Sequence, residues 1–198
     1  MTLEEDVFAP TRPEQSVSVL KTERLTLRAP RDGDAKTIAR LANDLRVAAN
    51  TSHIPHPYGI ADAEQFIASA NTRSNESCFA VTLEGKPIGI CSVMPRDDAF
   101  ELGYWYGVPY WGRGYATEAA RAVIDHAFGA LEHDALLSGA RVTNPASRRV
   151  LEKCGFQWTG VRLYRIRAIN SSAPIDQFRL DRGLWASLKS WGRAERAA

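Results

Sequence analysis

Glu101-Leu102-Gly103-Tyr104-Trp105-Tyr106-Gly107-Val108-Pro109-Tyr110-Trp111-Gly112-Arg113-Gly114-Tyr115-Ala116-Thr117-Glu118-Ala119-Ala120 reads as a strand, a glycine-punctuated turn and a helix start in one run. Such a run aims successive backbone N–H groups at an anion. Glycine lets the chain turn tightly and approach a ligand closely, and a helix beginning near Gly114 adds unpaired donors and the positive end of its dipole. A phosphate can be held there without a lysine.

The elements on either side set the context of that turn. Thr22 to Arg28 alternates Leu25 and Leu27 against Thr26 and Arg28, the pattern of a half-buried strand. Asp32 or Asp34 then caps a helix carrying Ile38, Leu41 and Leu45. The stretch from Thr51 to Gly59 holds two prolines and reads as an irregular loop. A helix over Ala61 to Thr72 turns Phe66, Ile67 and Ala70 inward, and Ser77–Leu83 and Pro87–Met94 flank a hairpin turn at Glu84-Gly85-Lys86. A second polar turn, Arg96-Asp97-Asp98, leads into the strand Ala99–Tyr106.

Downstream, Ala116, Ala119, Ala120, Val123, Ile124, Ala127, Phe128 and Leu131 recur at spacings of three and four, while Glu118, Arg121 and Asp125 face away. Leu136 to Val142 reads as a strand. Asn144-Pro145 supplies a cap and a first-turn proline for a short helix that Gly155 terminates. Phe156–Ile169 and Ile175–Leu180 form a last hairpin, and Leu184–Trp191 a terminal helix. Hairpins first and helix-separated strands later give an α+β fold with a mixed α/β sheet and helices on both faces. Residues 1–20 form an N-terminal arm and residues 21–198 a single domain.

Composition narrows the partners. Five tryptophans and 44% hydrophobic residues suffice for one substantial core. A net charge of +2, with acids and bases interspersed, lacks the basic stripe that nucleic acid requires. No stretch reaches the roughly 20 apolar residues of a membrane span. Glu4, Glu5 and Asp6 stand where a leader would carry basic residues, so a cytoplasmic location is expected. Cys78, Cys91 and Cys154 are widely spaced and suit buried, reduced thiols.

Three rival readings of the turn differ in what they need. A dinucleotide fingerprint would use Gly112 and Gly114 with Glu132 or Asp134 on a ribose, but Thr117 occupies the slot of its third glycine and a meander precedes it. A nucleotide P-loop needs Gly-Lys-Ser/Thr after the turn, where this chain has Arg113-Gly114-Tyr115. A tight strand-to-helix connection with no ligand needs only the two glycines.

Four spaced segments break the tie. Thr22-Glu23-Arg24-Leu25-x-Leu27-Arg28, Gly103-Tyr104-Trp105, Tyr110-Trp111-Gly112-x-Gly114-Tyr115-Ala116-Thr117-Glu118-Ala119, and Asn144-x-x-Ser147 followed by Glu152-Lys153-x-Gly155-Phe156 resemble the GNAT superfamily of N-acetyltransferases. The resemblance is closest to its RimJ/RimL-type branch of ribosomal-protein N-terminal acetyltransferases, and it runs from about Thr22 to Arg182. It implies a central, mostly antiparallel sheet of six to seven strands, splayed between the fourth and fifth, and acetyl-CoA as co-substrate. It also implies that the superfamily turn, here Trp111, Gly112, Arg113, Gly114, Tyr115 and Ala116 with Thr117 beside them, binds the pyrophosphate, and that Trp105, Tyr106 and Gly107 meet pantetheine. Trp111 stands in place of the superfamily's Arg or Gln, and Val108-Pro109 shifts the proline by one place.

Acyl transfer from a thioester to an amine requires a neutral nucleophile, support for an oxyanion and a proton for the departing thiolate. Glu101, two residues before Gly103, is the candidate base; its alternative is a strand carboxylate paired with an arginine. Most superfamily members have a tyrosine acid where this chain has Leu151, and the branch implies Ser147 as its substitute, although that hydroxyl can equally complete a helix cap. Tyr164 is the reserve acid or a packing residue. Asn144 resembles a cofactor-contacting asparagine and equally suits a helix start, and Arg148 or Arg149 is a candidate to meet a 3′-phosphate, the alternative being a solvated arginine. His53-x-x-His56 is interrupted by proline and has no carboxylate or cysteine nearby, so no metal is expected. By the same resemblance, that loop and Tyr58 border the acceptor pocket.

The expected reaction is direct transfer, without a covalent intermediate on Cys91 or Cys154, to a primary amine on a protein N-terminus or a small molecule. The chain is expected to act as a monomer or homodimer. The competing reading is a non-catalytic acyl-CoA-binding or regulatory module of the same fold.

Overall fold

Alternating leucines, a two-glycine turn and a proline-led helix become the framework of one sheet with a gap in it. The computed structural model describes residues 18–72, 77–96, 99–130 and 133–197. Most of the expected arm, Asp97 and Asp98 of the second turn, and Leu131 and Glu132 lie outside these residues.

The chain runs β1 (Leu20–Lys21), β2 (Leu25–Arg28), α1 (Ala35–Ala42), α2 (Leu45–Ala48), α3 (Ile60–Thr72), β3 (Ser77–Leu83), β4 (Lys86–Arg96) and β5 (Ala99–Tyr106). It continues with α4 (Tyr115–Ala130), β6 (Ala135–Arg141), α5 (Pro145–Lys153), β7 (Gln157–Ile166), β8 (Ser171–Asp181) and α6 (Arg182–Ala197). The described strands form one eight-stranded sheet in the order β1-β2-β3-β4-β5-β6-β8-β7. The strand beyond the expected seven is β1, a two-residue piece that includes Leu20, a residue assigned to the arm from sequence.

Local chemistry accounts for the turns. Glu84 and Gly85 have φ of 51° and 78°, the two left-handed residues of a hairpin that pairs Leu83 with Lys86. The Asn144 side chain accepts from the Ser147 amide and Pro145 opens α5, while Gly155, at φ 90°, closes it. The first helix differs from expectation. It stops at Ala42, and Asp44, extended and accepting from the Arg46 amide, caps the separate α2, which leaves Leu45 exposed. Asp34 stands at the cap of α1 without bonding its amides, because its buried carboxylate receives Arg28 in two bonds of 2.7 and 2.9 Å.

Every strand pairing is antiparallel except β5 with β6, which the α4 crossover makes parallel. That pairing involves only Phe100 with Leu136 and Glu101 with Leu137. From Leu102 onward β5 stays with β4 and leaves β6, the expected splay. On one face of the sheet Leu102, Tyr106, Leu136 and Leu180 pack with Ala119, Val123 and Phe128 of α4 and Leu151 of α5. On the other, Ala80 and Ile90 pack with Ile38 of α1 and Ile67 of α3. The gap therefore opens between two separately packed layers.

Candidate active site

The turn after β5 fits an anion. Gly112 and Gly114 have φ of 72° and 81°, and a Cβ on Gly112 would meet open space. The first bond of α4 runs from the Glu118 amide to the Gly114 carbonyl at 3.1 Å. Among the described residues no backbone or side-chain acceptor bonds the amides of Gly112, Arg113, Gly114, Tyr115, Ala116 or Thr117. Six donors around one bend, at the dipole's positive end, are what a diphosphate needs.

The bend is held from behind. The Trp111 indole N–H donates to the Tyr106 carbonyl at 2.6 Å, tying the turn to the end of β5. Glu118 accepts from the Thr22 hydroxyl at 2.6 Å, the Arg24 amide at 2.9 Å and Arg24 Nε at 2.7 Å. Arg24 Nη1 donates to the Arg113 carbonyl at 3.0 Å, and its guanidinium lies 4.6 Å from the Tyr115 ring centre. Burial pushes the Glu118 carboxyl up, but the bonds from Thr22 and Arg24 outweigh it and hold it below the ordinary carboxylate range. Sequence placed Glu118 facing away from the core; the structure corrects this, since the flank of α4 packs on the segment around β1 and β2.

Beyond the turn lies a cleft of about 960 Å³ that runs through the gap in the sheet. The antiparallel ladder spends one alternate set of β5 backbone groups on β4, as the 3.0 Å bond from the Gly107 amide to the Ile88 carbonyl marks. The other set, on Leu102, Tyr104 and Tyr106, faces the gap. Ser138 of β6 closes its narrow end by donating to the Leu102 carbonyl at 2.8 Å.

The predicted residues divide into two groups on the cleft walls. Trp105, Tyr106, Trp111, Gly112, Gly114, Tyr115, Ala116, Thr117, Asn144 and Ser147 all line it, as do Glu101 and Tyr164. Gly107 and Arg113 are not among its lining: a Cβ on Gly107 would fall 2.5 Å from Leu41 Cδ2, and the Arg113 carbonyl serves Arg24. Arg149 lines the cleft too, whereas Arg148 is held by Glu152 at 3.0 Å and Asp176 at 3.5 Å.

On the α4–α5 side, the Ser147 hydroxyl lies 2.9 Å from the Tyr104 phenol, which also reaches the Ser147 carbonyl at 3.1 Å. Burial raises the Tyr104 phenol well above its ordinary value, so it stays protonated. On the α1–α3 side, Glu101 is bonded by the Arg96 guanidinium, which stacks 4.6 Å from the Tyr164 ring centre, and the Tyr164 phenol donates to Gln177 at 3.3 Å. The arginine-paired alternative for Glu101 is thus present, in a position that still lines the cleft.

The loop before α3 supplies His53 and Tyr58 to the cleft lining. Burial, with Asp62 nearby, pushes the Tyr58 phenol up to about 12. Among the described residues no three His, Cys, Asp or Glu side chains gather as a metal site. The three thiols are buried, and burial raises Cys91 far above its ordinary value and Cys154 to about 11, so neither offers a thiolate at neutral pH.

Sequence reasoning missed Tyr104, Arg24, Arg96 and Arg141 as site-shaping side chains. Strand alternation would have flagged Tyr104, because Leu102, Tyr104 and Tyr106 share a face. Nothing local pairs Arg24 with a glutamate 94 positions away. Among the described residues no helix is long and apolar enough to cross a membrane.

Residues 24–157 match the family model described as the acetyltransferase (GNAT) domain. The Bacillus subtilis (strain 168) protein YkkB is 31% identical over 153 residues, which cover 71% of this chain and 86% of that protein. The uncharacterized N-acetyltransferase p20 of Bacillus licheniformis is 28% identical over 153 residues, covering 73% and 85%. Among solved structures, Mycobacterium smegmatis RimJ in complex with CoA-disulfide matches with a TM-score of 0.72 at 18% identity, covering 85% of this chain and 88% of that one, a likeness of fold.

Proposed function

The chain belongs to the GNAT acetyltransferase family, several of whose relatives are named N-acetyltransferases, and from that premise we propose that it moves the acetyl group of acetyl-CoA directly to a primary amine. The observation that carries this reading is the set of six unbonded amides, Gly112 to Thr117, at the mouth of a cleft that continues between β5 and β6. The diphosphate would sit on those amides, with Arg149 supplying positive charge beside them. The pantetheine arm would follow the gap, where the free backbone groups of Tyr104 and the free Tyr106 amide can bond it and polarise the thioester carbonyl.

In this reading the acceptor enters from the α1–α3 side. Glu101 and its arginine partner stand on that wall, and Glu101 or a water bonded to it takes the amine's proton. The Ser147 hydroxyl, aligned by Tyr104 and by the Asn144-capped start of α5, delivers a proton to the departing thiolate. Tyr164, turned toward Gln177, is the reserve for that role. The buried, protonated states of Cys91 and Cys154 support direct transfer over a thiol relay.

The test is titration with acetyl-CoA, followed by thiol release measured with small amines and peptides bearing free N-termini. Saturable binding with turnover for at least one amine supports the reading. Binding without turnover for any acceptor would favour the non-catalytic module. Absence of binding rejects both.

A further inference from the structure

Among the described residues the acceptor wall of the cleft carries more positive than negative side chains, and two of its arginines meet no carboxylate. Among the described residues, Asp62 and Glu101 are the acids that line the cleft. Asp62 accepts from the Gly59 amide at 2.8 Å in the approach to α3, and Glu101 is bonded by Arg96. Arg141 and Arg167 line the same side. Arg141 Nη1 donates to the Ala49 carbonyl at 2.8 Å, and Arg167 donates to the His53 carbonyl at 3.4 Å through Nη1 and to the Ser52 carbonyl at 3.3 Å through its amide. Both guanidiniums therefore converge on residues 49–53, and among the described residues neither meets a carboxylate.

Arg141 is the better placed of the two. Its Nε is buried and has no hydrogen-bond partner, an omission that folded chains seldom leave at a charged group. Register fixes its position: Glu101 pairs with Leu137, so Leu137, Gly139 and Arg141 share the β6 face that continues the Glu101 face of β5. Arg141 lies four residues along from Leu137, across the opening from the stretch of β5 that would hold the thioester. A polyamine would meet net positive charge on this wall. A carboxylate would meet a guanidinium that, among the described residues, has one carbonyl acceptor and no counter-charge.

Resting on the acetyltransferase reading above, we propose that the acceptor amine carries a carboxylate, and that Arg141, assisted by Arg167, binds it. The carboxylate belongs either to a free amino acid or to an acidic side chain near a peptide N-terminus. The two sources share this chemistry.

Matched pairs test it: each L-amino acid against its carboxamide, and Ala-Asp-amide against Ala-Asn-amide, with thiol release from acetyl-CoA as the readout. At least one carboxylate member is expected to exceed its neutral partner about tenfold in kcat/KM, mainly through KM. The pair that responds identifies the source. Arg141→Met should abolish that preference, Arg141→Lys should retain part of it, and Arg162→Met, which removes an equal charge from β7 outside the cleft, should leave it unchanged. Calorimetric binding of the same pairs to the CoA-loaded protein keeps this inference separate from turnover. Discrimination in binding without transfer would reject the acetyltransferase reading and keep the carboxylate site. Neutral partners that bind and react as well as the carboxylates would overturn it, as would a preference that survives in Arg141→Met.

Discussion

Replacing Glu118 by alanine tests whether the anion turn is held from outside its own helix. The carboxylate accepts from the Thr22 hydroxyl and the Arg24 amide at 2.6 and 2.9 Å, and pairs with an Arg24 guanidinium whose side chain is 41% exposed. Bonds to a charged acceptor contribute roughly 1.5–3 kcal/mol each. A solvent-reached ion pair adds roughly 0–1 kcal/mol. Water entering the vacated space recovers part of this, so the loss should be about 3 kcal/mol, toward the lower end of the summed range. For a chain of this size that corresponds to a fall in Tm of roughly 6–12 °C. Because Arg24 also bonds the Arg113 carbonyl, its release should loosen the turn and raise the KM for acetyl-CoA as well. Glu118→Gln keeps an acceptor but loses the charge, and should cost about 1 kcal/mol. Urea unfolding and steady-state kinetics on the three proteins decide it. A Glu118→Ala variant within about 0.5 kcal/mol of the wild type, with an unaltered KM, would refute the argument.

Other perturbations separate chemistry from scaffolding. Ser147→Ala should lower kcat roughly 100-fold if its hydroxyl protonates the thiolate, with acetyl-CoA affinity preserved; Tyr104→Phe should cost less, and a Ser147→Ala variant turning over at the wild-type rate removes that role. Gly155→Ala places a side chain at φ 90° with its Cβ 2.4 Å from Leu188 Cδ1, and should destabilise by about 1–2 kcal/mol without changing kinetics; unchanged urea stability would contradict the left-handed stop. Burial lowers the His126 imidazole below 6.5, and the bonds from Arg28 and the Arg31 amide overcome burial to hold the Asp34 carboxyl below 3.8. Each folded value lies below its unfolded one, so each contribution is complete above the unfolded value and is lost as pH falls through the folded one. Urea midpoints should therefore begin to decline below pH 6.5 and fall further once the pH drops under about 4; a level profile from pH 7 to 5.5 would remove the His126 component.

What could be read from the chain was whatever local geometry decides. Glu84-Gly85, Asn144-Pro145 and the Gly112–Gly114 bend carry their conformations in the residues themselves, and each stands where sequence placed it. Helix periodicity locates α4 but cannot say what lies beside its flank, so it leaves Glu118 facing away: its partners Thr22 and Arg24 come from the bend between β1 and β2, far upstream. The first helix was overextended to Leu45 because the apolar spacing continues through Asn43 and Asp44, and only the competing cap at Asp44 ends it. The α1–α3 wall of the cleft was the least legible part. Arg96, Arg141 and Arg167 come from β4, β6 and the turn after β7, and only the completed sheet brings them to one cleft.

The two halves of the sheet meet through a two-residue parallel ladder and one serine hydroxyl, all at the same end of the opening. Mechanically the molecule resembles tweezers: β1 to β5 form one blade, β6 to β8 the other, and Ser138 is near the joint. Widening the tips bends the joint without breaking a ladder, since no rung exists there to break. A long, thin guest can therefore lie along the opening without displacing a rung, over the one core layer that Leu102 and Tyr106 of the first blade share with Leu136 and Leu180 of the second.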